Sequence, residues 1–181
     1  LSDQNVPESI IDKFIQTNSE YFAKALGYKS VRSQVSLEWV DREDDDPKIS
    51  RPDYLLQREN GLFDILDLKK ALLVNYQPVT KGGKARAQFN SYVNDLIAQL
   101  AGYNRYFQKE GNRDWARTKY GIEIQNPRLI GVVGNYDSFA RDEVDLALAP
   151  YKDEIVILSY QEIINMLRYN TGSKILFSKN P

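Results

Sequence analysis

RPDYLLQRENGLFDILDLKK, residues 51–70, decides how this chain folds. Two apolar runs, DYLLQ (53–57) and LFDILDL (62–68), flank the segment RENG (58–61). Runs of this length bounded by turn residues read as strands, and Asn60-Gly61 supplies turn chemistry, so the stretch reads as a β-hairpin. Side chains alternate across a strand. Phe63, Ile65, Asp67 and Lys69 therefore share one face, and Leu62, Asp64, Leu66, Leu68 and Lys70 share the other. Asp67 and Lys69 continue an apolar face, which predicts that they are buried or half-buried. A buried charge is costly unless it is paired or bound to a metal. An Asp67–Lys69 ion pair at a strand end and a metal site both meet that demand.

Upstream, residues 8–26 place Ile10, Ile11, Phe14, Ile15, Phe22, Ala25 and Leu26 at helical spacing. Asn18-Ser19 is a candidate break into two helices, and Gly27 a stop signal. VRSQVSLEWV (31–40) alternates and reads as a strand, and REDDDPKISRP (42–52) as a surface loop. Downstream, VNYQPVTKGGK (74–84) reads as a mobile loop. A helix is predicted from about Ala85 to Lys109, with Phe89, Tyr92, Val93, Leu96, Leu100, Tyr103 and Phe107 on one stripe. Residues 111–127 read as mixed and turn-like. PRLIGVVG (127–134) and EIVILSY (154–160) read as buried strands, each followed by a helix, over 138–149 and 161–169, and the tail reads as irregular. Short turns join the early strands and helices join the later ones. The first are therefore antiparallel and the second parallel. The expected fold class is α/β, a mixed β-sheet flanked by helices.

The 181 residues fit a single domain with a sizeable core, an N-terminal helical segment (1–27) preceding a core (28–181). The chain does not open on Met, so it is expected to be a fragment of a longer protein or trimmed at its start. No apolar run approaches the length of a membrane span and no secretory pattern opens the chain, which predicts a cytoplasmic protein without a membrane partner. There is no Cys and no His. Zinc fingers, Cys–His pairs, Ser–His–Asp triads and His-ligated metals are excluded. Hydrolytic chemistry would rest on carboxylates, Lys, Tyr, Ser or Thr, and oxygen ligands imply a hard cation such as magnesium or manganese. A net charge of −1 does not advertise a nucleic-acid binder, although a bound cation would add positive charge where a phosphate sits.

Phosphodiester hydrolysis without His needs such a cation, held by carboxylates that meet on neighbouring strands. Asp53 and Asp67, fourteen residues apart, are placed to do this across the hairpin. Lys69 lies two residues beyond Asp67 on the same face, where it can orient water or stabilise developing negative charge. Leu68 points away, and its backbone carbonyl is a further candidate metal ligand. Lys81, Lys84 and Arg86, with Gly82-Gly83, can grip a phosphate backbone or form a polar loop. GGK lacks the spacing of a P-loop. The acidic run Glu43–Asp46 reads as a solvated loop, and Trp39 and Trp115 as core or interface residues.

RPDYLL followed by LFDILDLKKA resembles the PD-(D/E)XK nuclease motif, and more narrowly the nuclease domain of the Shedu family of bacterial anti-phage defence proteins. AQLAGYNRYF (98–107) carries Gln99-x-x-x-Tyr103, similar to the Q-x-x-x-Y element of the helix after the catalytic strand. PRLIGVVGN (127–135) and DEIVILSYQEIINML (153–167) resemble the following strand and the late strand and helix of the family. The likeness covers most of the chain from about Val31. It departs at Asp67, where the family usually has Glu. The resemblance implies a restriction-endonuclease-like core and a DNA endonuclease in phage defence that uses Mg2+ or Mn2+ and forms a homo-oligomer. Asp53 and Asp67 would be metal ligands and Lys69 the catalytic lysine, with Gln99 and Tyr103 at the edge of the site. The wider superfamily often places a Glu on its first helix near the metal. Glu20 is the best match here and Glu8 the next. The alternative is a catalytically weak module of the same fold that binds DNA or a partner and drives assembly.

Overall fold

The computed structural model describes residues 8–69, 78–151 and 153–177. The chain opens with two helices, α1 (Glu8–Thr17) and α2 (Ser19–Leu26), parted at Asn18 as expected. Gly27 ends α2 in the left-handed conformation that glycine adopts without penalty. β1 (Ser30–Ser33) follows, then β2 (Leu37–Glu38), β3 (Ile49–Ser50), β4 (Tyr54–Gln57) and β5 (Phe63–Leu68). β6 (Thr80–Lys81) and β7 (Gln88–Phe89) enclose a short 3-10 turn (Lys84–Arg86). α3 (Ser91–Gln108), α4 (Glu110–Tyr120), β8 (Leu129–Val132), α5 (Arg141–Leu148), β9 (Ile155–Leu158), α6 (Tyr160–Tyr169) and α7 (Gly172–Phe177) complete the described chain.

A five-stranded sheet runs in the order β1-β4-β5-β8-β9. β1, β4 and β5 pair antiparallel, while β5–β8 and β8–β9 are parallel. This is the mixed α/β architecture expected from the connection lengths. β5 is buried along its whole length, and its two faces feed two cores. Phe63 and Ile65 pack with Val93, Leu96 and Leu100 of α3. Leu66 and Leu68 pack with Phe22 and Leu26 of α2 and with Met166 of α6. At Gly131, directly beside Asp67 in the β5–β8 register, an added Cβ would stand 2.8 Å from Leu96 Cδ2 and from Ile157 Cδ1. The missing side chain lets α3 lie close over β8.

Four expectations need correction. The strand predicted over 31–40 breaks, because Gln34 adopts φ 53; β1 pairs with β4, and β2 turns away to pair with β3. The helix predicted from Ala85 starts only at Ser91, since Thr80–Phe89 is a hairpin whose ladder occupies Gln88 and Phe89. Residues 111–127, read as turn-like, include the eleven-residue helix α4. Only Asn112 and Ala116 of α4 are buried, too thin a stripe for periodicity to register. The tail, read as irregular, contains α7. Residues 70–77, which include Lys70 and part of the predicted 74–84 loop, lie outside the described residues, as do 1–7 and 178–181.

Candidate metal and catalytic site

The hairpin register positions the acids. Tyr54 stands opposite Leu66, and one step further along places Asp53 opposite Asp67. Main-chain donors hold the carboxylates at this meeting point. Leu68 N–H donates to Asp53 Oδ2 at 2.8 Å, and Asp53 N–H donates to Asp67 Oδ1 at 3.4 Å. Each acid is thus tied to the other's strand by a backbone group that mutation cannot easily remove.

Asp67 is only 2% exposed, on the α3 face, as the alternation predicts. Tyr103, reaching from α3, brings its hydroxyl within 3.2 Å of Asp67 Oδ1 and 3.0 Å of the Arg51 carbonyl. One O–H donates to one of these at a time. The Gln99 side-chain amide donates to the same hydroxyl at 2.7 Å, so the two α3 residues, four apart on one helix face, act as a relay into the carboxylate. Sequence reasoning put Gln99 and Tyr103 at the edge of the site, and the structure brings them there.

The electrostatics follow from this packing. Burial, and next the adjacent Asp53 charge, push the Asp67 carboxyl up to about 7. The Asp53 N–H, the Tyr103 hydroxyl and Lys69 pull the other way and do not win. Burial and the neighbouring Asp67 likewise push the Tyr103 hydroxyl up, which keeps it protonated as a donor. Two carboxylates pressed together in a poorly solvated place make the donor set that a hard divalent cation neutralises, so magnesium or manganese fits the pair. Among the described residues no group of three or more acidic side chains converges. A cation here would be held by two carboxylates, completed by main-chain oxygen such as the Leu68 carbonyl and by water.

Lys69 directly follows β5 and is half-buried. Its main chain is fixed on both sides. Its N–H donates to the Val132 carbonyl at 2.9 Å, and Tyr160 O–H, from the start of α6, donates to its carbonyl at 3.1 Å. Sequence reasoning missed Tyr160, and no local signal marks it, because the contact spans ninety-one positions.

Other candidates fall elsewhere. Glu20 is exposed on α2, the helix that packs on the face opposite Asp67, and the structure does not bring it to the acid pair. The Glu8 side chain lies outside the described residues. Lys81, Lys84 and Arg86 are exposed on the β6–β7 hairpin, where Lys84 pairs with Asp142 of α5. The acidic run is partly clamped. Asp46 meets Arg105 of α3 and Lys109 just beyond its end, while Glu43 stays in solvent and reaches Lys109. Trp39 is a core residue, donating to Ser50 Oγ at 2.8 Å and packing edge-on to Tyr106. Trp115 packs edge-on to Tyr120 at the rim of the same core. No helix among the described residues is long and apolar enough to cross a membrane. The chain matches no protein-family model and no curated protein.

Proposed function

We propose that this chain is a Mg2+- or Mn2+-dependent DNA endonuclease that hydrolyses phosphodiester bonds. On the resemblance of its hairpin, its Gln99–Tyr103 helix and its later strands to the Shedu family, it works as a homo-oligomer in the bacterial cytoplasm, in defence against phage. One observation carries the catalytic reading. Asp53 and Asp67 face each other across neighbouring strands, each accepting a main-chain N–H from the other's strand, with Lys69 two residues along the Asp67 face.

Asp53 and Asp67 would hold the cation, which when bound would supply Lewis acidity and positive charge at the phosphate. The Lys69 ammonium stabilises charge growing on the phosphate oxygens. Tyr103 keeps Asp67 oriented through its hydroxyl, and Gln99 keeps that hydroxyl in place. Because Asp67 sits at about 7, protons compete with the cation below that value. Cutting at limiting metal therefore rises as pH climbs through about 7.

The test is cleavage of supercoiled plasmid and linear DNA with magnesium, manganese or chelator, beside Lys69→Ala. Metal-dependent cutting that falls at least about 100-fold in the variant is expected, the scale of removing one preorganised transition-state contact. A second reading draws on the near-complete burial of Asp67 and on the convergence of no more than two acids among the described residues: a module of this fold that binds DNA or a partner without cutting. Folded protein that neither binds metal nor cuts under any condition selects that second reading.

A further inference from the structure

Lys69 stands where β5 ends, and the two peptide planes that flank it are held from different sides. The plane before it is fixed by the Lys69 N–H, which donates to the Val132 carbonyl of β8 at 2.9 Å. The plane after it carries the Lys69 carbonyl, which accepts the Tyr160 hydroxyl at 3.1 Å. A residue has two soft backbone angles, one on each side of its Cα. Holding both planes fixes both angles, and with them the direction in which the lysine stem leaves the chain.

Tyr160 is itself held. It follows Ser159, which with Glu162 caps the first turn of α6 reciprocally. Arg141 of α5 pairs with Glu162 and donates to the Ile157 carbonyl of β9 at 3.1 Å. Tyr160 N–H donates to the Gly134 carbonyl, two residues beyond Val132, at 3.0 Å. Both contacts on Lys69 thus come from one frame, the end of β8 and the start of α6. The Tyr160 ring packs at the margin of the core beneath α2, whereas Asp67 meets Tyr103 on the α3 face. Lys69 shares the Asp67 face by alternation. Its charge is felt there, drawing the Asp67 carboxyl down against burial and the Asp53 charge. The lysine stem is long and flexible, so a small turn at its Cα is magnified at the ammonium. A catalytic group misplaced by about 1 Å costs as much as about 100-fold in rate.

We propose that Tyr160 is a positioning residue: its hydroxyl, acting through the Lys69 carbonyl, aims the Lys69 ammonium at a phosphate lying beside Asp53 and Asp67. The proposal rests on the nuclease reading for its reaction and adds the group on which the aim of the lysine depends. It makes the start of α6, ninety-one positions along the chain, part of the catalytic geometry.

Two measurements decide it, both on Tyr160→Phe, which removes the hydroxyl and keeps the ring. In the first, DNA cutting and manganese affinity are compared for wild type, Tyr160→Phe, Lys69→Ala and the double variant. Tyr160→Phe should lower kcat about tenfold while KM and manganese affinity hold. It should add nothing in the Lys69→Ala chain, because a residue that works through the lysine has nothing to aim there. A loss of the same size in both backgrounds, or none in either, assigns Tyr160 to packing alone and overturns the proposal. The second measurement, hydrogen exchange of the metal-free chain, reads the geometry without any cutting. The Lys69 N–H should exchange about tenfold faster in Tyr160→Phe, while the amides of the β4–β5 ladder keep their wild-type rates. Unchanged exchange at Lys69 overturns the proposal, and so does faster exchange across the whole ladder, which marks a general loss of stability. A wild-type chain that never cuts removes the nuclease reading instead, and the exchange result then decides by itself whether Tyr160 holds Lys69.

Discussion

Asp64 and Asp67 are three residues apart on β5, and both are buried, at 0% and 2% exposure. Their surroundings differ in one respect that matters. Asp64, on the α2 face, accepts a two-pronged pairing from Arg58, the Tyr28 hydroxyl at 2.9 Å and the Arg128 N–H. A cation and several donors repay the cost of removing its charge from water. Asp67, on the α3 face, has donors too, but the charge pressed nearest to it is a second carboxylate. Burial alone therefore does not mark a functional acid. The sign of the neighbouring charge separates a carboxylate that holds the fold together from one poised to take a cation or a proton.

That comparison can be broken. Asp64→Ala strands Arg58 in a part-buried place without its partner. It is expected to cost about 3 kcal/mol in urea unfolding, as breaking a buried pair does. Metal binding by whatever folds should stay at the wild-type level. Manganese affinity lost together with Asp64, in protein that remains folded, would erase the distinction between the two acids.

Asp67→Asn acts in the opposite direction. The folded chain holds this carboxyl at about 7, above its ordinary value of 3.8. The stability it lends is complete below about pH 4 and is lost as pH rises toward 7, because the charge must then form in a buried place beside Asp53. The metal-free variant should therefore exceed wild type by about 2 kcal/mol at pH 8 and converge with it near pH 4. Urea unfolding at the two pH values reads the difference. Equal stability at pH 8 would mean that Asp67 is as well compensated as Asp64.

Tyr103→Phe sharpens the contrast with a smaller effect. It removes the hydroxyl that Asp67 and the Arg51 carbonyl share, at about 1 kcal/mol of stability. That hydroxyl draws the Asp67 carboxyl downward, so its loss moves the carboxyl higher still. The pH at which limiting manganese binds should climb with it, which a titration of metal binding against pH would register. A binding curve unmoved by the variant would leave Tyr103 as a packing residue only.

Much of the site was legible in the primary structure, because it depends on local rules. Alternation put Asp67 and Lys69 on one face, Asn60-Gly61 closed the hairpin that opposes Asp53 to Asp67, and i, i+4 spacing joined Gln99 to Tyr103. What was illegible depended on partners distant in the chain. Nothing near Arg58 announces that it clamps Asp64, and nothing near Tyr160 announces the Lys69 carbonyl. Glu20 looked suitable by its helix and is carried to the wrong side of the sheet. The β6–β7 ladder spans only two residues per strand, which is too short for a period-two pattern, and Gln34 breaks the 31–40 strand through a backbone angle that its side chain does not advertise.

By itself, then, the sequence determined the class of fold, the strand directions and the pairing of two aspartates. These follow from side-chain periodicity and connection length, which act within a few residues. Only the tertiary structure decided which buried aspartate is neutralised and which is left facing another acid. Charge compensation is made by residues such as Tyr28, Arg58 and Arg128, which folding brings to Asp64 from separate stretches of the chain.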